Sequence, residues 1–215
     1  MNLVVVPARV RHHEDKLREL ERETRGLDYY LGVQYNLKRN PNNRNKILRE
    51  DIEVIREVSS REVFYNLDFE AVNSWTPEEY NKIVSAGQEE LQNEFGATAF
   101  SLFGYGLGRF SEEQLHRLRD EAQLLWYAPN FYQWHPQHFR DYARDISMAK
   151  AMRMPFCPFT CGNYTRFGAT LVSESDRQTL YQDLTNLDVT TVYIWSDLNW
   201  PSAVEGIVNM VRTFG

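Results

Sequence analysis

Seven times along its 215 residues this chain passes from a short β-branched or aromatic run into an amphipathic stretch at helical spacing, and that repetition constrains its fold more than any single motif. The strand-like runs begin at residues 3, 29, 62, 97, 124, 155 and 190, so each unit takes 26 to 35 residues. Alternating strands and helices with short connections require parallel strands and right-handed crossovers, which leaves an open doubly wound sheet or a closed barrel. No G-x-G-x-x-G follows the first strand, and Gly104-Tyr105-Gly106-Leu107-Gly108 does not complete one. Polar and aromatic groups stand at the ends of several different strands, the arrangement of a barrel mouth. The expected fold is α/β, a TIM-like (β/α) barrel of seven parallel strands forming one domain over residues 1–215, with the open sheet as the alternative.

Local signals support the units. Leu17 and Leu20 share a face between His12 and Arg25; Ile47, Leu48, Ile52, Ile55 and Val58 do so before the third strand. Thr76-Pro77-Glu78-Glu79 reads as a capping box with proline at the first helical position, and Gly96 as its helix stop. Ser111, Pro136, Ser173 and Pro201 mark further helix starts, while Lys38 to Asn45, rich in Asn and Arg, reads as a solvated connector. The sixth strand is expected over Met154 to Cys161, interrupted by Pro158.

A net charge of -6 with a pI near 5.4 leaves no electrostatic footprint for nucleic acid, and no basic run suggests a membrane surface, so neither partner is expected. The apolar run Leu3 to Val6 is too short for a signal peptide or a span, and lacks a basic flank. Cys157 and Cys161 form neither a zinc quartet nor a disulfide framework and read as reduced structural thiols. No metal or organic cofactor is expected.

The third strand, Glu62 to Ala71, ends in two carboxylates, Asp68 and Glu70, which strand alternation points the same way about 6–7 Å apart. Two acids that close have their ionisation pushed apart, so one holds a proton while its neighbour stays anionic, the division of labour that cleaving a glycosidic bond needs. An Asp-x-Glu at a strand end is also a common pair of solvated loop acids. Three aromatics raise the interest of this one: Tyr105, Tyr132 and Trp195 end the fourth, fifth and seventh strands, so a barrel would turn them toward the same pit.

Several segments, in order, resemble the hyaluronidases of animal and venom type. Leu67-Asp68-Phe69-Glu70 is similar to their acidic strand end, Phe103-Gly104-Tyr105-Gly106 to their Tyr-Gly-Tyr-Pro, and Pro129-Asn130-Phe131-Tyr132 to their Pro-Ser-x-Tyr. Leu171 to Asp176 and then Val192 to Trp195 look like their Phe-Leu-x-Glu-x-Asp helix start and final Ile-Ile-Trp strand. The resemblance implies a seven-stranded barrel and substrate-assisted retaining hydrolysis of N-acetylhexosaminidic bonds in a glycosaminoglycan. Glu70 would protonate the leaving oxygen, and Asp68 would orient the substrate's own acetamido group. Tyr105 and Tyr132 would hydrogen-bond around that group and Trp195 would wall it. It also implies a secreted or lysosomal setting.

The family's Trp-Arg-Pro is replaced here by Ala71-Val72-Asn73, its cysteine framework is missing, and an acidic chain suits polyanionic hyaluronan only if the groove is locally basic. Two alternatives follow: a non-catalytic saccharide-binding barrel, or a glycosidase for a neutral polymer such as chitin. The sequon Asn163-Tyr164-Thr165 lies near the barrel mouth and reads as a chance match.

Overall fold

A computed structural model of the chain describes residues 1–69, 76–97, 100–104, 107, 110–121, 126–129, 139–164 and 170–215. The first half runs β1 (Asn2–Ala8), a 3-10 turn (Val10–His12), α1 (Glu14–Glu23), β2 (Tyr30–Asn36), α2 (Pro41–Val58), β3 (Val63–Asp68) and α3 (Pro77–Phe95). There follow β4 (Phe100–Gly104), α4 (Glu112–Glu121), β5 (Trp126–Pro129), α5 (Phe139–Ala151) and β6 (Phe159–Cys161). A two-stranded antiparallel ribbon, β7 (Asn163–Tyr164) and β8 (Thr170–Leu171), then leads to α6 (Glu174–Asn186), β9 (Thr191–Asp197) and α7 (Ala203–Phe214).

Seven of these strands form one all-parallel sheet in the order β5-β4-β3-β2-β1-β9-β6. That order is cyclic in the chain, with the last strand beside the first and the sixth beside the last. An open doubly wound sheet instead reverses its order at a switch point. The fold is a TIM-like barrel, and the seam between β5 and β6 is the one junction with no recorded pairing among the described residues.

The apolar side chains divide by strand phase into two layers. Leu3 and Val5 of β1, Leu31, Val33 and Tyr35 of β2, and Val192 and Ile194 of β9 face the helices, where they meet Leu17, Leu48, Ile55, Ile207 and Val211. The alternate residues Val4, Val6, Phe159 and Tyr193, with Cys157, form a separate cluster on the inner side, flanked by Phe64 and Trp195. Burial on both faces is why β1 reads as an unbroken Leu-Val-Val-Val rather than as an alternation. Both cysteines are free and buried; burial pushes the Cys161 thiol up to about 12 and Cys157 well above its usual value, so both are held as thiols.

Helix ends follow the chemistry expected of them. Thr76 and Glu79 form a reciprocal capping box, and Gly96 stops α3 at φ 64°. Ser111 and Gln114 cap each other, and Ser173 accepts from Asp176 N–H. Two expectations need correcting. The connector over Lys38 to Asn45 is mostly helix: Asn40 accepts from Asn43 N–H at 2.9 Å and Pro41 occupies the first turn, so α2 starts six residues before its first apolar position, Ile47. The sixth strand is only Phe159–Cys161, because Met154 N–H bonds back to Ala149 O at 2.8 Å to close α5 and Pro158 has no N–H to pair.

Between β6 and β7, Gly162 meets Gly206 of α7 so closely that a Cβ on Gly162 would sit 2.1 Å from the Gly206 carbonyl oxygen. Backbone cannot yield as a flexible side chain can. Gly162→Ala is expected to cost upward of about 2 kcal/mol of unfolding free energy, against about 1 kcal/mol for Thr76→Ala, both read from urea titrations.

Candidate active site

Along the inner columns of β2, β3 and β9 the side chains turn polar toward the end of the strand. On β3 the column is Phe64, Asn66, Asp68; on β9 it is Tyr193, Trp195, Asp197; on β2 it ends in Gln34 and Asn36. The result is an apolar floor under a polar mouth at the carboxyl ends of the strands, where barrel active sites are built.

Just below the mouth a buried polar pair links β4 to β3: Ser101 Oγ donates to Asn66 Oδ1 at 2.9 Å. Burial, with a contribution from Cys157, pushes the Tyr193 phenol well above its usual value, and the Ser101 hydroxyl only partly offsets this. Tyr193 is therefore a neutral phenol below the mouth.

Asp68 stands at the end of β3, half-buried, in register with Asn36 of β2 and Phe103 of β4. Asn36 Nδ2 donates to Asp68 Oδ2 at 2.8 Å, and Leu37 N–H donates to the Asp68 carbonyl at 3.0 Å. Trp195 lies two inward positions nearer the floor, in register with Val6 and Cys161, and meets Trp200 edge-on at 5.2 Å. Both residues face the barrel interior, Asp68 at its rim and Trp195 where floor meets mouth. Glu70, Tyr105 and Tyr132 lie outside the described residues.

A cavity of about 190 Å³ opens at the ends of β1, β2 and β9, lined among others by Arg9, Gln34, Asn36, Arg39, Trp195 and Asp197. Pockets that enclose drug-sized ligands measure roughly 300–1,000 Å³, so this one suits one small group of a longer ligand. Four arginines line it against two aspartates, a positive excess in a chain of net charge -6. Arg11 and Asp51 are paired, Arg11 N–H and Nη1 both reaching the carboxylate; burial raises the Asp51 carboxyl above its usual value and Arg11 limits the rise. Arg9 bonds Asp197 at 3.0 Å and takes the left-handed backbone angle φ 65°, an uncommon setting for a residue other than glycine that starts the turn out of β1. Arg39 and its neighbour Lys38 are exposed and have no acidic partner among the described residues.

Asn36, Gln34, Arg9 and Asp197 were not singled out by motif. The signal for the first two was available: with Leu31, Val33 and Tyr35 facing the helices, alternation places Gln34 and Asn36 on Asp68's face. Asn163 is buried, and its Nδ2 reaches Ser202 O at 3.4 Å, which leaves no room for a glycan and agrees with reading the sequon as chance.

No protein-family profile and no curated protein sequence matches this chain. Solved structures do resemble it in fold. A family 18 N-acetylglucosaminidase from Paenibacillus barengoltzii matches with a TM-score of 0.53 at 8% identity, over 99% of each chain. A family 99 endo-α-mannosidase from Bacteroides thetaiotaomicron matches at 0.55 and 10% identity, over 95% of this chain and 84% of the other. A citrate lyase from Burkholderia xenovorans matches at 0.54 and 11% identity, over 99% of this chain and 76% of the other. These likenesses establish the barrel, and the presence of a lyase among them shows that the fold hosts more than one chemistry.

Behind the cavity, Arg44 of α2 pairs with Glu90 of α3 and lies over the Tyr35 ring at 5.1 Å. Burial alone would raise the Glu90 carboxyl, but bonds from Arg44, Tyr35 and Asn45 outweigh it and hold it below its usual value. A carboxyl lowered on folding contributes stability above its unfolded pKa and loses it as pH falls through the folded one. Glu90→Ala is thus expected to lower unfolding free energy at pH 7 by about 1–3 kcal/mol. The difference from the parent chain should shrink as urea titrations are repeated at pH values below the ordinary glutamate range.

Proposed function

We propose that this chain is a glycoside hydrolase that cleaves N-acetylhexosaminidic bonds in an anionic, hyaluronan-like polymer by substrate-assisted retaining hydrolysis, with residues 1–215 acting as one catalytic unit. The observation that carries the reading is Asp68 at the carboxyl end of the third strand of a TIM-like barrel, beside a polar cavity. The fold likeness to glycosidases of families 18 and 99 is consistent with it. So is the order of the motifs that resemble the hyaluronidases.

In this reading Glu70, two residues beyond Asp68, donates its proton to the glycosidic oxygen as that bond breaks. The carbonyl oxygen of the substrate's acetamido group forms the new bond to the anomeric carbon, so the chain supplies no nucleophile. Asp68 accepts the acetamido N–H, orienting the group and balancing the positive charge that spreads onto it. Water, deprotonated by Glu70, then opens the cyclic intermediate with net retention. Tyr105 and Tyr132 hydrogen-bond around the acetamido group, and Trp195 offers it an apolar face above the floor.

Arg9, Arg11 and Arg44 are each paired with a carboxylate, so the preference for an anionic over a neutral polymer rests on the exposed Lys38 and Arg39, which have no acidic partner among the described residues. They answer the charge problem posed by an acidic chain, since local rather than net charge governs a ligand a few ångströms away at physiological ionic strength.

Glu70→Gln is expected to abolish release of reducing ends from hyaluronan while polymer binding persists. Unchanged turnover in that variant would rule the mechanism out, and binding without turnover by the parent chain on hyaluronan, chondroitin and chitin oligosaccharides would establish the non-catalytic alternative. Arg39→Ala should weaken binding to hyaluronan severalfold at low salt and much less at high salt, with binding to chitin oligosaccharides unaffected. Equal losses on charged and neutral polymers would overturn the electrostatic part.

A further inference from the structure

We propose that Asn36 is a positioning residue for Asp68: its side-chain amide, fixed on both sides, sets the direction in which the carboxylate faces the mouth of the barrel. The inference rests on the role given to Asp68 above. Asn36 and Asp68 are in-register terminal residues of neighbouring strands, and both belong to the inner face. Asn36 Nδ2 donates to Asp68 Oδ2 at 2.8 Å, while Asn36 Oδ1 accepts from Lys38 N–H at 3.0 Å. Only one orientation of the amide satisfies both partners, because a carboxylate needs a donor and an N–H needs an acceptor.

The backbone reinforces this. Leu37 N–H donates to the Asp68 carbonyl at 3.0 Å, and Arg39 N–H turns back onto the Asn36 carbonyl at 3.2 Å. The chain leaving β2 is therefore folded around Asn36 and tied to the end of β3 at the same time. A carboxylate that must meet an acetamido N–H has to keep both its charge and its rotamer, and a fixed amide donor serves both needs. Asn36 also lines the cavity, so the pair sits where a ligand would lie.

The test follows the pH titration of the Asp68 side-chain carboxyl by carbon NMR in the full chain, its signal assigned by its loss in Asp68→Asn. Parent, Asn36→Ala and the isosteric Asn36→Asp are compared, with circular dichroism to confirm folding. The other charged groups described at the mouth, Arg9, Lys38, Arg39 and Asp197, are the same in all three, as is Glu70. The expected result is an upward move of the Asp68 midpoint in Asn36→Ala and a larger one in Asn36→Asp, which replaces the donor with a second carboxylate. Kinetically, kcat on the polymer should fall about ten- to a hundredfold with little change in KM. An unmoved midpoint in either folded variant, or a moved midpoint with parental kcat, overturns the proposal. If the parent chain cleaves no polymer, the glycosidase reading fails by itself, and the midpoints still decide whether Asn36 governs Asp68.

Discussion

The first and last strands pair along their whole length, from Asn2 against Thr191 to Ala8 against Asp197, and the rest of the molecule depends on that junction. It joins segments almost 190 residues apart and is the junction that makes the strand order cyclic. Because the two strands are parallel and in register, their inner columns run side by side. Val4 and Val6 meet Tyr193 and Trp195, and these residues with Phe159 and Cys157 build the apolar floor. The helix-facing layer is larger, but it would cover an open sheet equally well. The inner cluster exists only because the sheet curls.

Curvature also makes the mouth. The inner columns of β2, β3 and β9 turn polar toward their carboxyl ends, and a flat sheet would spread those groups in a row along one edge. In the barrel Gln34, Asn36, Asp68 and Asp197 ring a shared opening above the Ser101–Asn66 bond, which satisfies polar groups that the floor could not. The charges around the opening come from loops after β1 and β2: Arg9 is turned inward at a left-handed backbone position, and Arg39 projects from the short link before α2. Arg9 is balanced by Asp197, so Lys38 and Arg39 are the cations there that have no acidic partner among the described residues.

Much of this was legible in residues alone. The seven runs were recognisable because strands buried on both faces need β-branched and aromatic residues throughout, and the capping box at Thr76 and the stop at Gly96 are local chemistry that no tertiary contact has to confirm. The start of α2 was misread because Asn-rich sequence serves equally as a loop or as a capped first turn; the Asn40 side chain decides between them only once it bonds Asn43. The length of β6 depended on whether Met154 bonded forward to a strand or back to α5. Asn36 passed unnoticed because asparagine at a strand end usually signals a turn, and its second role requires a neighbour 32 residues away.

The sequence by itself determined the seven strand–helix units and the phase of each strand, because these follow from backbone periodicity and short-range sterics. Only the tertiary structure decided that the order of strands is cyclic, that Trp195 sits nearer the floor while Asp68 stands at the rim, and that Asn36 holds Asp68. Those facts are set by which strand lies beside which, and in what register. The register comes from packing side chains into a closed interior, a long-range condition that no local pattern of residues can state.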